Sequence, residues 1–244
     1  MMSEWDRILE RHIYNLISPD GRNTFESTSF LVEKILQRAN IGQDDIIVDV
    51  GCGWGNLTRA CSLQTQQTVI GIDPSIKNMK EAERKSVSYN VKFIQGSFEQ
   101  MNYNKKTDII VSSLTFHQVK DKKCALKNVK DILRKKGKFI LCDTLIMFDA
   151  ENDSTQFDCV YRYLLEKTTP PDIYRKYISP NLQDGYIYSW EDMKRYTPKE
   201  FWFYSLKDLQ GWSALNGLSI IQVEPICPFF GIITFVNGVD NDER

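Results

Sequence analysis

Three glycines spaced two residues apart, Gly51, Gly53 and Gly55, follow a short apolar run, Ile46–Val50. Glycine permits positive φ angles and leaves the backbone bare, so a ligand can approach it closely. In an open α/β sheet, ligands bind beyond the carboxyl ends of the strands, where such a loop would lie. The spacing therefore predicts a loop that holds a nucleotide-like cofactor.

The details of this loop narrow the class of cofactor. A dinucleotide-binding loop has the pattern GxGxxG, whose third glycine packs a helix against a strand. Here Asn56 occupies the place of that third glycine. A phosphate-binding P-loop would end in Gly-Lys-Ser/Thr, and the loop does not. The loop instead has an acidic residue, Asp49, two positions before its first glycine.

An acidic residue followed by xGxGxG resembles the first motif of the class I methyltransferases. The resemblance implies that Asp49 and the loop Gly51–Gly55, including Cys52 and Trp54, hold the methionine portion of S-adenosylmethionine. We expect the Trp54 ring to pack over the edge of the cofactor, and a cation–π contact with the sulfonium is the alternative.

A second motif, Gly71–Ser75, contains Asp73 and Pro74 at the end of the second predicted strand. A carboxylate at this place can accept hydrogen bonds from both ribose hydroxyls. By itself the feature fits a nicotinamide dinucleotide as well as S-adenosylmethionine. Its alternative role is to cap the next helix.

A third motif, Gln95–Glu99, follows the third predicted strand and contains Gly96, Ser97 and Phe98. In the methyltransferases that the chain resembles, this turn contacts the adenine, which implies that role here. The family often has an acid after the glycine, where this sequence has Ser97. For Phe98 the alternative is a place in the hydrophobic core.

A fourth motif, Ser112–His117, follows the fourth predicted strand and resembles the small-molecule branch of the family, which often has a histidine there. We predict that Ser112 contacts the cofactor and that His117 is a general base or substrate contact. A histidine that bonds the backbone at the start of the next helix is the alternative. Asp143, after the fifth strand, could bind a substrate amine, bind a metal or cap a turn. Because Thr144 follows it in place of a second ligand, we predict no metal site.

The chemistry that these residues would support is in-line displacement. S-adenosylmethionine carries an activated methyl group, so the protein must mainly align the acceptor atom and exclude water. Such positioning can lower a barrier by roughly 7–11 kcal/mol. A general base is needed only for an acceptor that is protonated at neutral pH, and typically adds about 10²–10⁴-fold.

The elements that position these motifs are short apolar runs alternating with amphipathic segments, a pattern typical of a parallel sheet with right-handed crossovers. We predict an α/β fold with a doubly wound, Rossmann-like, mostly parallel sheet of seven strands. The predicted strands are Ile46–Val50, Thr68–Ile72, Val91–Ile94, Ile109–Val111, Phe139–Leu141, Leu218–Val223 and Ile232–Val236.

Helices are predicted between several strands and before the first. Residues 1–40 should form a helical cap of two helices, the second capped by Ser27 or Thr28. Further helices are expected over Ser75–Tyr89, over Asp121–Lys136 with Gly137 as the C′ residue, and over Ser205–Asn216, which Gly217 ends.

After the fifth strand the pattern breaks into an aromatic-rich insertion, residues 145–204. We predict one methyltransferase domain over residues 1–244, with this insertion as a lid on the substrate side and Tyr161 as a substrate contact. Such a wall of aromatic side chains suits an apolar or aromatic small molecule. It could equally be the core of the insertion itself or the interface of a homodimer.

Composition sets the class of protein. The formal net charge of −1 provides no global basic field for nucleic acid or anionic lipid. One segment, Lys120–Lys138, has a local charge of +7 and is expected to be a solvated helix face or, as the alternative, a docking patch. The six cysteines form no CxxC pair, and no apolar run is long enough to span a bilayer. We therefore expect a cytoplasmic protein without a membrane partner.

Other functions stay open at this point. The Lys120–Lys138 segment could bind RNA, although the motif that methylates base amines is lacking after strand four. The glycine loop also resembles that of cyclopropane fatty acid synthases, so a lipid substrate is a second alternative. A protein methyltransferase and a non-catalytic subunit that only binds S-adenosylmethionine are the others.

Overall fold

A computed structural model describes residues 24–150, 152–156, 204–227 and 230–238. It contains one sheet of seven strands in the order β3-β2-β1-β4-β5-β7-β6. The strands are β1 (Ile47–Val50), β2 (Val69–Asp73), β3 (Val91–Gln95), β4 (Thr107–Ser113), β5 (Leu133–Thr144), β6 (Leu218–Cys227) and β7 (Phe230–Asn237).

The sheet is mixed. Each neighbouring pair among the first five strands is parallel, whereas β7 is antiparallel to β5 and to β6. The chain runs from β1 to β2 and β3 on one side, then returns to place β4 on the other side of β1. The order therefore switches direction between β1 and β4, which is where α/β sheets bind ligands.

Helices cover both faces of this sheet. They are α1 (Thr24–Ala39), α2 (Asn56–Ser62), α3 (Ile76–Lys85), α4 (Lys122–Ile132) and α5 (Leu206–Leu215), with a 3-10 turn at Phe116–Gln118. One core cluster joins α4 and α5 to the sheet, and a second joins α1 and α2 to it. All four residues of β1 are buried, as expected of a strand between two helical layers.

Three helix boundaries differ from the sequence prediction. Helix α3 ends at Lys85 rather than at Tyr89. Helix α1 begins at Thr24, so Ser27 and Thr28 lie inside it and do not cap it. Helix α4 ends at Ile132, because Leu133 already pairs with Thr107 at the start of β5. The prediction of Gly137 as its C′ residue is therefore wrong. A Cβ at Gly137 would lie 3.0 Å from the carbonyl oxygen of Asp108, so glycine there permits close strand contact.

The predicted closing helix is confirmed in detail. Ser205 caps α5 and forms a capping box with Asp208, and Gly217 follows with a φ angle of +68°. A capping box satisfies two amide donors at a helix start. Ser75 likewise caps α3 by accepting a hydrogen bond from the Asn78 amide.

The predicted insertion begins and ends at one point. The Ile146 amide donates to the Tyr204 carbonyl at 2.9 Å, and the Leu206 amide donates to the Ile146 carbonyl at 2.8 Å. Most of residues 145–204, including Tyr161, lies outside the described residues, as does the first predicted helix within residues 1–40. Among the residues that are described, none of the helices has the length and apolarity to cross a membrane.

Candidate cofactor and active site

The glycine loop lies at the carboxyl end of β1, beside the topological switch. Gly51, Gly53 and Gly55 have φ angles of +79°, +51° and +76°, which side-chain-bearing residues rarely adopt. The amides of Gly51 and Cys52 both donate to the Ile72 carbonyl, at 2.7 and 3.0 Å. These bonds attach the loop to β2, so its backbone is held rigidly at the edge of the sheet.

The three glycines have different surroundings. A Cβ at Gly51 would overlap the side chain of Thr115, and a Cβ at Gly55 would lie 2.9 Å from the Phe93 ring. A Cβ at Gly53 would meet no atom within 4 Å. Gly51 and Gly55 are thus required by the packing of the protein itself. The open space lies over Gly53, and it is there that bare backbone is available to a ligand.

Asp49 is buried directly beneath the loop, with 1% of its surface exposed. The Thr58 hydroxyl, in the first turn of α2, donates to it at 2.6 Å. Burial raises the pKa of the Asp49 carboxyl to about 7; the nearby Asp73 charge adds to the rise and the Thr58 bond opposes it. A carboxyl in this state gains its full charge most readily when a cation is bound beside it.

The carboxylate of Asp73, at the end of β2, accepts hydrogen bonds from groups of the protein itself. Its Oδ2 accepts from the Gly53 amide at 3.0 Å, and its Oδ1 accepts from the Ser75 amide and the Asn78 side chain at 2.9 and 3.2 Å. A carboxylate offers about four acceptor positions, so three are in use. The carboxylate therefore orients the loop and α3, and it has capacity for about one ligand hydroxyl rather than for two.

An open cavity of about 550 Å³ lies beside the loop, between Trp54 and α3. Trp54 is 54% exposed, and the ammonium of Lys85 lies 4.4 Å from the centroid of its ring. Lys85 thus covers one face of the indole by a cation–π contact. Pro74 and Ile76 are exposed nearby, and charged side chains of α3 line the rest of the cavity.

In the turn after β3, Gly96 and Ser97 shape the backbone, whereas Phe98 packs into the core. The Ser97 amide donates to the Gln100 carbonyl at 2.9 Å, and the Ser97 hydroxyl accepts from the Gln100 amide at 3.1 Å. A Cβ at Gly96 would meet the Gln100 carbonyl oxygen at 2.7 Å, which explains the glycine. Phe98 is 1% exposed and packs edge-on against Phe116. Its placement corresponds to the core alternative, because the ring presents no surface to a ligand.

Ser112 is fully buried, and its hydroxyl donates to the Val50 carbonyl at 2.8 Å. In this place it joins β4 to β1 beneath the loop, so its effect on a cofactor would be indirect. Thr115, which sequence reasoning missed, reaches the loop itself: its hydroxyl lies 3.2 Å from the Gly51 carbonyl oxygen. The preceding Leu114 has a φ angle of +55°, a conformation that costs a non-glycine residue free energy.

His117 and Asp143 form a buried pair. His117 lies on the 3-10 turn after β4, with 4% of its surface exposed, and Asp143 at the end of β5 is fully buried. The Nδ1 atom of His117 is 2.7 Å from Oδ1 of Asp143, and the His117 amide donates to Oδ2 at 2.6 Å. An ionised carboxylate only accepts, so Nδ1 carries the proton and neutral imidazole has its lone pair on Nε2.

This placement changes the interpretation of Asp143. Its carboxylate has no exposed surface and also accepts from the Thr144 amide at 2.7 Å. Both oxygens of Asp143 already accept hydrogen bonds from the protein, so the expected contact with a substrate amine does not fit. We assign Asp143 to the orientation of His117. The alternative role of His117 was a hydrogen bond to the backbone, whereas its Nδ1 atom bonds the Asp143 side chain.

Two residues that sequence reasoning did not select complete this cluster. The ammonium of Lys122 is buried, with 5% of the residue exposed, and the Tyr204 hydroxyl lies 3.5 Å from Oδ2 of Asp143. Burial lowers the pKa of Lys122 to about 8 and raises that of Tyr204 well above its ordinary range. No local pattern marks either residue, because Lys122 lies within a run of lysines and Tyr204 among many aromatic residues.

Within the described parts of the chain, no group of three or more His, Cys, Asp and Glu side chains could hold a metal ion. The described side chains at the switch point thus comprise carboxylates, hydroxyls, one imidazole and bare backbone. Such a set suits a ligand with a cationic, hydroxylated and apolar surface.

Comparison with known proteins identifies the family. The sequence profile of a methyltransferase domain matches residues 41–185, more than half of the chain. A methyltransferase of Alkaliphilus oremlandii (strain OhILAs) is 28% identical over 155 residues, which cover 62% of this chain and 68% of that protein. A methyltransferase of Anoxybacillus flavithermus is 29% identical over 126 residues, half of this chain and 56% of that protein.

Solved structures share the fold. The PH0226 protein from Pyrococcus horikoshii OT3 superposes with a TM-score of 0.64 over 98% of this chain and 100% of its own, at 16% sequence identity. The strand order, the glycine loop at the switch point and the profile match agree. The chain is a member of the class I S-adenosylmethionine-dependent methyltransferase family.

Proposed function

We propose that this methyltransferase transfers the methyl group of S-adenosylmethionine to a small, apolar or aromatic acceptor. The observation that carries the proposal is the open space over Gly53 at the switch point of the sheet, where the Gly53 amide is held by the Asp73 carboxylate. A cofactor with a cationic amino-acid tail and a ribose needs bare backbone and acceptors of this kind.

The residues that would hold the cofactor are taken from the described edge of the sheet. Asp49 and the loop Gly51–Gly55, with Cys52 and Trp54, would hold the methionine portion, and Asp73 a ribose hydroxyl. The turn at Gly96 and Ser97 would border the adenine through its backbone. When bound, S-adenosylmethionine supplies an electrophilic methyl group, and the chain has to orient the acceptor and exclude water.

His117 would act as general base for an acceptor that is protonated at neutral pH. Its Nε2 lone pair takes the proton, and the Asp143 carboxylate, 2.7 Å from Nδ1, stabilises the resulting imidazolium. The burial of the pair strengthens this electrostatic effect, since the local dielectric is low. An acceptor whose atom is already nucleophilic would not need this step.

The acceptor class rests on the aromatic composition of segment 145–204, and Tyr161 within it is proposed to contact the substrate. A homodimer through the same segment and a cytoplasmic location are further proposals. Two other acceptors are tested below: RNA, which the basic segment Lys120–Lys138 could bind, and lipid.

Binding of the product tests the cofactor site. S-adenosylhomocysteine at 100 times its dissociation constant should stabilise the fold by about 2.7 kcal/mol, a rise of roughly 5–10 °C in melting temperature. NAD at the same concentration should have no effect. A shift with NAD and none with S-adenosylhomocysteine would overturn the cofactor assignment.

Methyl transfer tests the acceptor. The purified chain is incubated with methyl-labelled S-adenosylmethionine and, in separate reactions, a panel of small phenols, amines and thiols, total RNA, or lipid vesicles. Label in a small molecule supports the proposal, and label only in RNA or lipid contradicts it. His117→Ala should retain the S-adenosylhomocysteine shift but lose transfer about 10²–10⁴-fold for a protonated acceptor.

A further inference from the structure

Lys122, the first residue of α4, has a buried ammonium group that the proposed reaction does not use. Its Nζ atom donates to the carbonyl oxygens of Val119 and His117 at 2.7 and 3.2 Å. His117 belongs to the turn Phe116–Gln118, and Val119 follows it directly. The ammonium therefore connects the turn that carries His117 to Val119, the residue that follows this turn.

Two aromatic rings also lie close to this ammonium. It lies 5.0 Å from the centroid of the Tyr204 ring and 5.7 Å from that of Phe116. Burial of a charge costs free energy unless close partners replace its water. Here the partners are two carbonyls, two ring faces and the charges of Asp143 and Glu99, which oppose the lowering of its pKa.

The carboxylate of Asp143 binds the imidazole directly, and its charge also acts on the Lys122 ammonium. Its Oδ1 receives Nδ1 of His117 and the Thr144 amide, both at 2.7 Å. Its Oδ2 receives the His117 amide at 2.6 Å and lies 3.5 Å from the Tyr204 hydroxyl. The carboxylate keeps this set of donors only while the turn stays in place, because two of its four partners are atoms of His117.

We propose that Lys122 is a positioning residue for His117. It holds the turn Phe116–Gln118 so that the imidazole keeps its proton on Nδ1, toward Asp143, and its lone pair on Nε2. The catalytic purpose of this arrangement rests on the proposed function, in which Nε2 is the base. The arrangement itself can be measured without any substrate.

The chain is well suited to this measurement because it contains only two histidines, His12 and His117. In a His12→Gln background, ¹⁵N-histidine labelling leaves one imidazole, whose two ring nitrogen shifts report the tautomer directly. The full chain with Lys122 unchanged should show one tautomer at pH 8, with the proton on Nδ1. Lys122→Met, which retains an apolar side chain of similar length, should give a mixture of tautomers and about tenfold faster solvent exchange of the Nδ1 proton.

Lys123→Met is the matched control, because Lys123 is the next residue of the same helix and is exposed. It should leave the tautomer and the exchange rate unchanged. A folded Lys122→Met protein that keeps a single Nδ1–H tautomer and the unaltered exchange rate would overturn the proposal. So would an equal change in both variants.

Should Lys122→Met not fold, the His12→Gln protein with Lys122 intact provides a second test. The pKa of Lys122 is lowered to about 8, so the ring nitrogen shifts of His117 should change with an inflection near pH 8. Shifts that stay flat from pH 7.5 to 9.5 would contradict the proposal. If the His117 tautomer depends on Lys122 in a protein that transfers no methyl group, the proposed function is contradicted and the positioning role is not.

Discussion

Two carboxylates at the glycine loop have opposite surroundings. Asp49 receives a hydrogen bond from the Thr58 hydroxyl and is enclosed by the core, whereas Asp73 accepts three hydrogen bonds. Burial with a single side-chain donor favours the protonated form of Asp49. Its protonation should therefore respond to pH and to a bound cation.

The first prediction concerns Asp49→Asn. Since the pKa of Asp49 is about 7 in the folded chain against an ordinary value of 3.8, the folded state binds this proton more tightly. The free energy of unfolding should thus fall as pH rises from about 4 to about 7. Asp49→Asn removes this loss, so it should be more stable than the unsubstituted chain at pH 8 by roughly 2–4 kcal/mol.

Denaturant unfolding at pH 4 and pH 8 measures this difference. At pH 4 both side chains are neutral in the folded state, and the two proteins should unfold at nearly the same denaturant concentration. A stability difference of the same size at both pH values would contradict the predicted protonation. The variant should also bind S-adenosylhomocysteine more weakly at pH 8, because its amide carries no negative charge to attract the ammonium group of the ligand.

The second prediction separates two glycines of the loop. Gly51→Ala should destabilise the fold by roughly 2–4 kcal/mol, because its Cβ would overlap Thr115. Gly53→Ala should cost only about 1–2 kcal/mol, the strain of its left-handed backbone, because open space surrounds that position. Gly53→Ala should nevertheless weaken S-adenosylhomocysteine binding more than the strain alone explains.

Thermal unfolding with and without S-adenosylhomocysteine tests this pair. Equal losses of stability in the two variants would show that the packing difference is wrong. Unchanged ligand binding by a folded Gly53→Ala protein would remove the main support for a cofactor over this residue.

At the scale of elements, the site depends on how its loops are joined to regular structure. The loop Gly51–Gly55 connects β1 to α2, and the turn with His117 connects β4 to α4. The segment 145–204 returns to the sheet where Ile146 exchanges hydrogen bonds with Tyr204 and Leu206. Helix α5 starts at that closure, so its first turn fixes where the segment ends.

The third prediction concerns the cap of α5. Ser205 accepts from the Asp208 amide, and Asp208 accepts from the Ser205 amide. Ser205→Ala should destabilise the fold by about 1 kcal/mol, the usual cost of a lost cap. Gln210→Ala, at an exposed position of the same helix, should change the free energy of unfolding by less than about 0.5 kcal/mol. Equal effects, measured by chemical denaturation, would contradict the role of the cap.

At the scale of the whole molecule, charge is unevenly distributed. Seven basic residues of the segment Lys120–Lys138 are exposed; the exceptions are Lys122, which is buried, and Lys138, which is half-buried. Two of the exposed charges are paired, Lys127 with Asp131 and Arg134 with Asp108. The exposed cations therefore form a solvated surface at the helix and at the start of β5, and the remainder of the molecule is acidic by comparison, since the total is −1.

The fourth prediction follows from this distribution. Two of the seven exposed cations are paired with carboxylates, and the rest of the chain has a net negative charge that repels a phosphate backbone. RNA should bind only non-specifically, with a dissociation constant of about 10⁻⁴–10⁻⁶ M at physiological salt. Fluorescence anisotropy with a labelled oligonucleotide over a salt series measures this. Nanomolar binding that Lys123→Glu and Lys130→Glu weaken would instead favour an RNA substrate.

Much of this fold could be predicted because its signals are local. All seven strands overlap the predicted runs. For a central strand such as β1, which is buried along its whole length, the reason is that burial on both faces requires a continuous apolar run. The glycine loop was predictable because positive φ angles require glycine at those positions. The start of β5 was missed: residues 133–136 continue the helical pattern, and only the pairing of Leu133 with Thr107 ends the helix.

The sequence by itself determined the order of the elements and the positions of Asp49, Asp73 and the glycine loop at strand ends. The tertiary structure decided which groups meet: Asp143 with His117, 26 residues apart, and Lys122 with the ring of Tyr204. It also decided that Phe98 packs in the core. Backbone conformation and the spacing of buried residues depend on residues that are close in the sequence, so local patterns predict them. A contact between distant side chains depends on how sheet and helices pack, and no local pattern records it.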